Sequence, residues 1–183
     1  MLFGACQLAL LRREGMREFG STPAAFLASV LPLLAFPFGE FLFGLVAGSG
    51  GEALGGLLAA TVALLTPAVV SEALAHLWGR DDAWLRYATA YNWTRWPLLL
   101  VLFFGMGAGG ILAGLGLGPA AGVSLGMVGV AFYGAVLDWF VARVGLGLSG
   151  GRAVLLVLAV NVAAGALFLG PTLLTGPSAT MLP

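Results

Sequence analysis

Glu72 and His76 stand one helical turn apart, an acid and the chain's single histidine at i, i+4. That spacing puts both side chains on one face, where they could share a proton or a metal ion. Metal sites take three or four ligands, and the chain has one His and one Cys, so the expectation is no metal site but a Glu–His or Glu–Arg pair. Asp138 has two arginines to choose from, Arg143 five residues on and Arg95 in another segment. Glu72, His76, Asn92, Arg95, Asp138 and Arg143 fall at a similar depth in the topology set out below. They form one candidate polar layer, either the seam of a bundle or the lining of a vestibule. Glu40 and Asn161 lie inside long apolar stretches. An ionisable or amide side chain there costs up to about 3 kcal/mol to insert, so each is a functional candidate by default. Glu40 offers a proton or cation site, or a hydrogen bond between helices. Asn161 offers an interhelical hydrogen bond.

No catalytic residues are assigned. Glu72 with Asp138 is the one carboxylate pair available for acid–base work, and neither a Ser–His–Asp arrangement, a P-loop nor a redox cysteine pair occurs. Two G-x-G-x-x-G matches, at Gly105–Gly110 and Gly145–Gly150, lack the strand-to-helix setting of a dinucleotide site. The sequon at Asn92-Trp93-Thr94 falls on the cytoplasmic side and is discounted.

The elements that position these residues follow from composition. The chain is 60% apolar and 9% charged, with mean hydropathy +1.03. Soluble domains carry about 25% charged residues, so a water-facing surface cannot be built here. The expected fold is an all-α polytopic membrane helix bundle with five transmembrane helices. The spans run over about 24–46, 53–75, 97–117, 121–142 and 153–174, within a membrane domain covering residues 20–175. All eight basic residues are arginines, at 12, 13, 17, 80, 86, 95, 143 and 152. They precede the first span or fall in the second-to-third and fourth-to-fifth connections, which places the N-terminus in the cytoplasm and the C-terminus outside. The two outer connections, Gly48–Glu52 and Gly118–Ala120, are short and force antiparallel neighbours.

Residues 1–19 form an interfacial amphipathic segment, with Leu2, Phe3, Cys6, Ala9 and Leu10 on one face and a break at Gly15. A second interfacial helix is expected over 81–95, capped by Asp81, with Trp84, Tyr87, Ala88 and Tyr91 on one face and Pro97 opening the next span. Residues 176–183 read as a loose tail. All five tryptophans (Trp78, Trp84, Trp93, Trp96 and Trp139) fall on the arginine side as interface anchors. Gly105/Gly109, Gly110/Gly114 and Gly122/Gly126 repeat at i, i+4, the spacing that lets helix backbones approach in lipid. The third and fourth spans should therefore pack tightly, on each other or on a second subunit.

Two local stretches carry a resemblance. Arg86-Tyr-Ala-Thr-Ala-Tyr-Asn-Trp93 leads into the third span, and Asp138-Trp-Phe-Val-Ala-Arg-Val-Gly-Leu-Gly-Leu-Ser-Gly150 follows the fourth. With five spans and an internal N-terminus, the chain resembles the Ypt-interacting-protein (Yip) superfamily, in particular its alphaproteobacterial relatives. The Asp-Leu-Tyr-Gly-Pro type of motif and the acidic N-terminal domain of eukaryotic members are absent, so a Rab-type trafficking role does not carry over. The resemblance implies the five-span fold, a bacterial inner-membrane location and a non-enzymatic organising role. The function expected is that of an adaptor or complex subunit acting through the Arg- and Trp-rich cytoplasmic face. The alternative is a small transporter or channel component using Glu40, Asn161 and the polar layer. Expected partners are the lipid bilayer and other subunits or a second copy. Neither a cofactor, nucleic acid nor a small-molecule substrate is implied.

Overall fold

The computed structural model describes the backbone of residues 1–175 and the side chains of residues 1–167; the tail expected at 176–183 lies outside the described residues. The described chain is helical throughout. A short helix α1 (Leu2–Ala9) and a 3₁₀ turn (Arg13–Glu18) precede five long helices. These are α2 (Pro23–Val46), α3 (Gly50–Leu77), α4 (Asp81–Leu112), α5 (Pro119–Gly145) and α6 (Gly150–Thr175). All five are long and apolar enough to cross a membrane. The chain is thus a multi-pass integral membrane protein.

The helix ends follow from local chemistry. Thr22 caps α2 by accepting a hydrogen bond from the Ala25 amide, with Pro23 in the first turn, where its missing N–H costs nothing. Gly79 (φ +63°) and Gly147 (φ +61°) end α3 and α5 in the left-handed conformation, which turns the chain tightly at both arginine-rich connections.

Two boundaries differ from expectation. The separate interfacial helix over 81–95 does not exist: α4 runs unbroken from Asp81 through Pro97 to Leu112. Proline already holds a helical φ, so mid-helix it forfeits one hydrogen bond, and the packed neighbours keep α4 in line. Asp81 is the first residue of α4 and makes no cap hydrogen bond; Arg80 occupies the cap position. At about 1.5 Å per residue, the 32 residues of α4 span about 48 Å, well beyond a hydrocarbon core of about 30 Å, so its first turns project from the bilayer. Likewise, α1 does not break at Gly15 but at Leu11, which adopts φ +56° while Arg12 N–H bonds the Gln7 carbonyl. Gly15 serves the return instead: a Cβ there would sit 2.9 Å from Gln7 Cβ, so the 3₁₀ turn could not lie against α1.

Packing differs between the two ends of the bundle. The buried apolar cluster is concentrated at the arginine end and reaches along α6 to Val160. It takes Ala5 and Leu8 from α1, Met16 and Phe19 from the turn, Ala75 from α3, Tyr87 from α4, Leu137 and Val141 from α5, and Ala153 and Leu156 from α6. Toward the other end the helices show lipid a row of large apolar side chains, such as Phe43, Phe103 and Phe132. The cause is physical. Hydrophobic burial drives association only where water is the alternative, which is at the membrane surface. Inside lipid the helices need close backbone approach. The glycines supply it: Gly105 and Gly109 of α4 face Gly126 and Gly122 of α5, and a Cβ added at Gly109 would lie 2.7 Å from the Gly122 carbonyl oxygen. The third and fourth spans thus pack on each other. Gly110 and Gly114 lie elsewhere, with open space beside them. α2 packs against α3 and α4, and α6 against α3 and α5.

The N-terminal hairpin docks on α4 and α5, burying Ala5 and Leu8, while Gly4 lies against Gly15 and Glu18 of the turn and Leu2, Phe3, Cys6 and Leu10 stay exposed. Tyr133 of α5 donates to the Ala9 carbonyl at 2.6 Å, satisfying one of the acceptors that the end of α1 leaves open. Tyr133→Phe should therefore cost about 1 kcal/mol. The expected readout is faster amide exchange across residues 2–9 with the exchange of α4 and α5 unchanged.

Candidate functional site

The expected polar layer divides in two. One part is inside the bundle. Asp138 of α5 takes Arg95 of α4, not Arg143, as its ion-pair partner, through Arg95 Nη2 and Asp138 Oδ1. One turn earlier on α4, the ring of Tyr91 lies 4.0 Å from the Arg95 guanidinium carbon, a cation–π contact on the other face of the same group. The two charged side chains keep only 26% and 12% of their surface, so each depends on the other for neutralisation.

Asn92 is also inside. Its Nδ2 donates to Ser29 Oγ of α2 at 2.9 Å, and Ser29 in turn donates to the Phe26 carbonyl at 2.6 Å. The sequon asparagine is therefore buried and engaged. Trp84 Nε1 of α4 donates to Ser71 Oγ of α3 at 3.1 Å, and Trp139 Nε1 of α5 donates to the Gly150 carbonyl of α6 at 3.1 Å. Along the arginine-bearing half, side chains thus tie α2 to α4, α3 to α4, α4 to α5 and α5 to α6, spread over about 16 Å of α4 from Trp84 to Arg95. Trp84 also packs on Phe26 with ring centroids 5.6 Å apart, and Trp96 on Phe36 at 6.1 Å. All five tryptophans are half-buried, and Trp84 and Trp139 act as ties between helices.

The other part faces out. Glu72, His76 and Arg143 are exposed. The expected Glu72–His76 pair is not formed: His76 Nδ1 lies 2.7 Å from Asp81 Oδ1, with both side chains largely in solvent. The tight turn at Gly79 brings Asp81 back over the end of α3, which a linear reading at i, i+4 could not reveal. Arg143 extends along Trp139, 5.3 Å from its ring. Among the described residues, no three His, Cys, Asp or Glu side chains come together.

Neither intramembrane candidate joins the layer. Glu40 is exposed on α2. Asn161 is exposed on α6 and donates to its own Val157 carbonyl at 2.8 Å, so the expected bond to another helix of the bundle is not made. The structure does not bring Glu40, Asn161 and the inner layer together along one path.

The serines are what sequence reading missed. Ser29 and Ser71 are almost wholly buried, at 2% and 1% exposed, and each accepts from α4. The signal was present: an isolated serine in a span is an acceptor for a donor of matching depth, and Asn92 and Trp84 both need one.

Comparison with protein-family models, with curated proteins and with solved structures finds no match to this chain.

Proposed function

We propose that the chain is a non-enzymatic adaptor or complex subunit of a bacterial inner membrane, acting through its arginine-bearing, cytoplasmic end. One observation carries this reading: at that end the Arg95–Asp138, Asn92–Ser29 and Trp84–Ser71 pairs hold helices together, while the charged groups outside them are exposed. Arg95 is the only arginine taken inside; Arg12, Arg13, Arg17, Arg80, Arg86, Arg143 and Arg152 are exposed, and so are Glu14, Glu18, Glu72, Asp81 and Asp82. A rigid plate that displays both signs of charge suits a protein partner better than a bare anionic lipid surface, which would call for arginine alone.

The membership suggested by the Yip-like stretches is part of the same proposal. Its support is that the two stretches meet: Tyr87 in the first packs against Gly145 in the second, where an added Cβ would lie 3.1 Å from Tyr87 Cβ.

Photo-crosslinking in native membranes tests the proposal. A crosslinker placed at Arg86 or Arg143 is expected to capture a defined cytoplasmic or membrane protein, whereas one at Glu52, in the first turn of α3 at the opposite end, captures none. Exchange of Arg86 and Arg143 for Glu should reduce that capture at least several-fold. Crosslinks confined to the Glu52 side would defeat the reading.

A further inference from the structure

Asn161 presents an unfilled requirement. It follows the start of α6 at Gly150 by 11 residues, which puts it about 16 Å along the helix, near the middle of a core about 30 Å thick. Its amide donates one N–H to the Val157 carbonyl. A primary amide has a second N–H and a carbonyl oxygen, and neither finds a partner among the described residues. The side chain is exposed, at a depth where there is no water to bond it.

The neighbouring surface has the form of a helix seam. Gly151, Val154, Leu158, Asn161 and Gly165 follow one another at spacings of three, four, three and four, the a/d pattern of paired helices. Val154 and Leu158 are 46% and 55% exposed, and the space beside Gly151 and Gly165 is open. Next to this ridge, between α5 and α6 and against Trp139, runs a groove of about 270 Å³. A ridge beside a groove on one surface is self-complementary.

We infer that α6 is the seam of a homodimer in which Asn161 of each copy hydrogen-bonds Asn161 of the other. Topology selects this occupant. Two copies inserted the same way have parallel α6 helices, and a two-fold axis along the membrane normal brings each residue of the seam to its own equivalent at the same depth. An amide is both donor and acceptor, so the pair closes on itself. One polar residue in an apolar seam also fixes register. The seam starts at Gly151 beside the arginine end and runs to Asn161 and Gly165 in mid-membrane, and the inference goes beyond the adaptor reading by naming a second copy as its occupant.

The native chain has one cysteine, Cys6, which is exposed and takes a fluorophore directly. Energy transfer between donor- and acceptor-labelled protein in liposomes, followed on lipid dilution, should report a dimer. Asn161→Leu should weaken it about tenfold, and Asn161→Gln should retain most of it. In a Cys6→Ala background, Leu158→Cys should form an intermolecular disulfide, and Val62→Cys, which is 52% exposed on α3, should not. Among the described residues Asn161 makes no hydrogen bond beyond its own helix, so its replacement should leave the monomer fold intact, which circular dichroism checks. A monomer at every dilution, an Asn161→Leu dimer of unchanged strength, or crosslinking through Val62 in preference to Leu158 would each overturn the inference. None of these results bears on capture from Arg86 or Arg143, so the two proposals fail separately.

Discussion

Asp138→Ala is expected to destabilise the bundle by about 3 kcal/mol, read as a shift in the SDS-titration midpoint of unfolding in mixed micelles. The carboxylate itself contributes little net stability, because removing two charges from water costs about what their attraction returns. The loss comes from what stays behind: a guanidinium at the α4–α5 contact, 26% exposed, with Tyr91 on one face and nothing to balance it on the other. Arg95→Met should be similarly harmful, since it strands the carboxylate. Arg95→Met combined with Asp138→Leu should recover most of the loss, because no buried charge then remains. The cycle decides the matter. If the two single losses simply add in the double variant, the pair is not coupled and the ties from Ser29, Ser71 and Gly150 hold the arginine-bearing half alone.

Gly109→Leu or Gly122→Leu should separate α4 from α5 in the lipid-embedded half, lowering stability by about 3 kcal/mol or preventing the bundle from forming. The obstacle is main chain, which cannot rotate away. An added Cβ at Gly109 meets the Gly122 carbonyl oxygen at 2.7 Å, and one at Gly122 meets the Ala113 amide nitrogen at 2.8 Å. Gly110→Leu is the control. It lies on the same helix at the adjacent position and has nothing within 4 Å, so its effect should stay below about 0.5 kcal/mol. Equal losses at Gly109 and Gly110 would mean that the close crossing is not their cause, since leucine has the higher helix propensity at both positions.

What could be read from sequence divides along physical lines. Five spans and the all-α class follow from length and hydropathy, because the bilayer sets a minimum length and allows few alternatives. The small-residue spacing marked α4 and α5 as close-packing helices but not the partner of each face, because Gly109 and Gly110 differ only by 100° of helix rotation. The polar layer was legible as a depth and not as a set of contacts. Depth along a helix is linear in residue number, so Arg95, Asn92 and Asp138 fell at the right level. Which way a side chain points depends on the rotation and neighbours of its helix. That is why Asp138 chose Arg95 over the nearer Arg143, and His76 chose Asp81 over Glu72. Pro97 and Gly15 were read as breaks by local preference; the packing around α4 and the left-handed Leu11 decided otherwise.

The N-terminal hairpin implies an order of events during synthesis. Leu2–Ala9 leaves the ribosome well before the helices it docks on, yet its docking surface is on α4 and α5, and its hydrogen bond to Tyr133 joins positions 124 residues apart. Until α4 and α5 have been inserted, the hairpin lacks its full docking surface for Ala5 and Leu8, so its apolar residues must wait at the membrane surface. Made before α4 and α5 and seated after them, it closes over helices that have already paired. Its docking therefore records that the chain has been threaded through to α5.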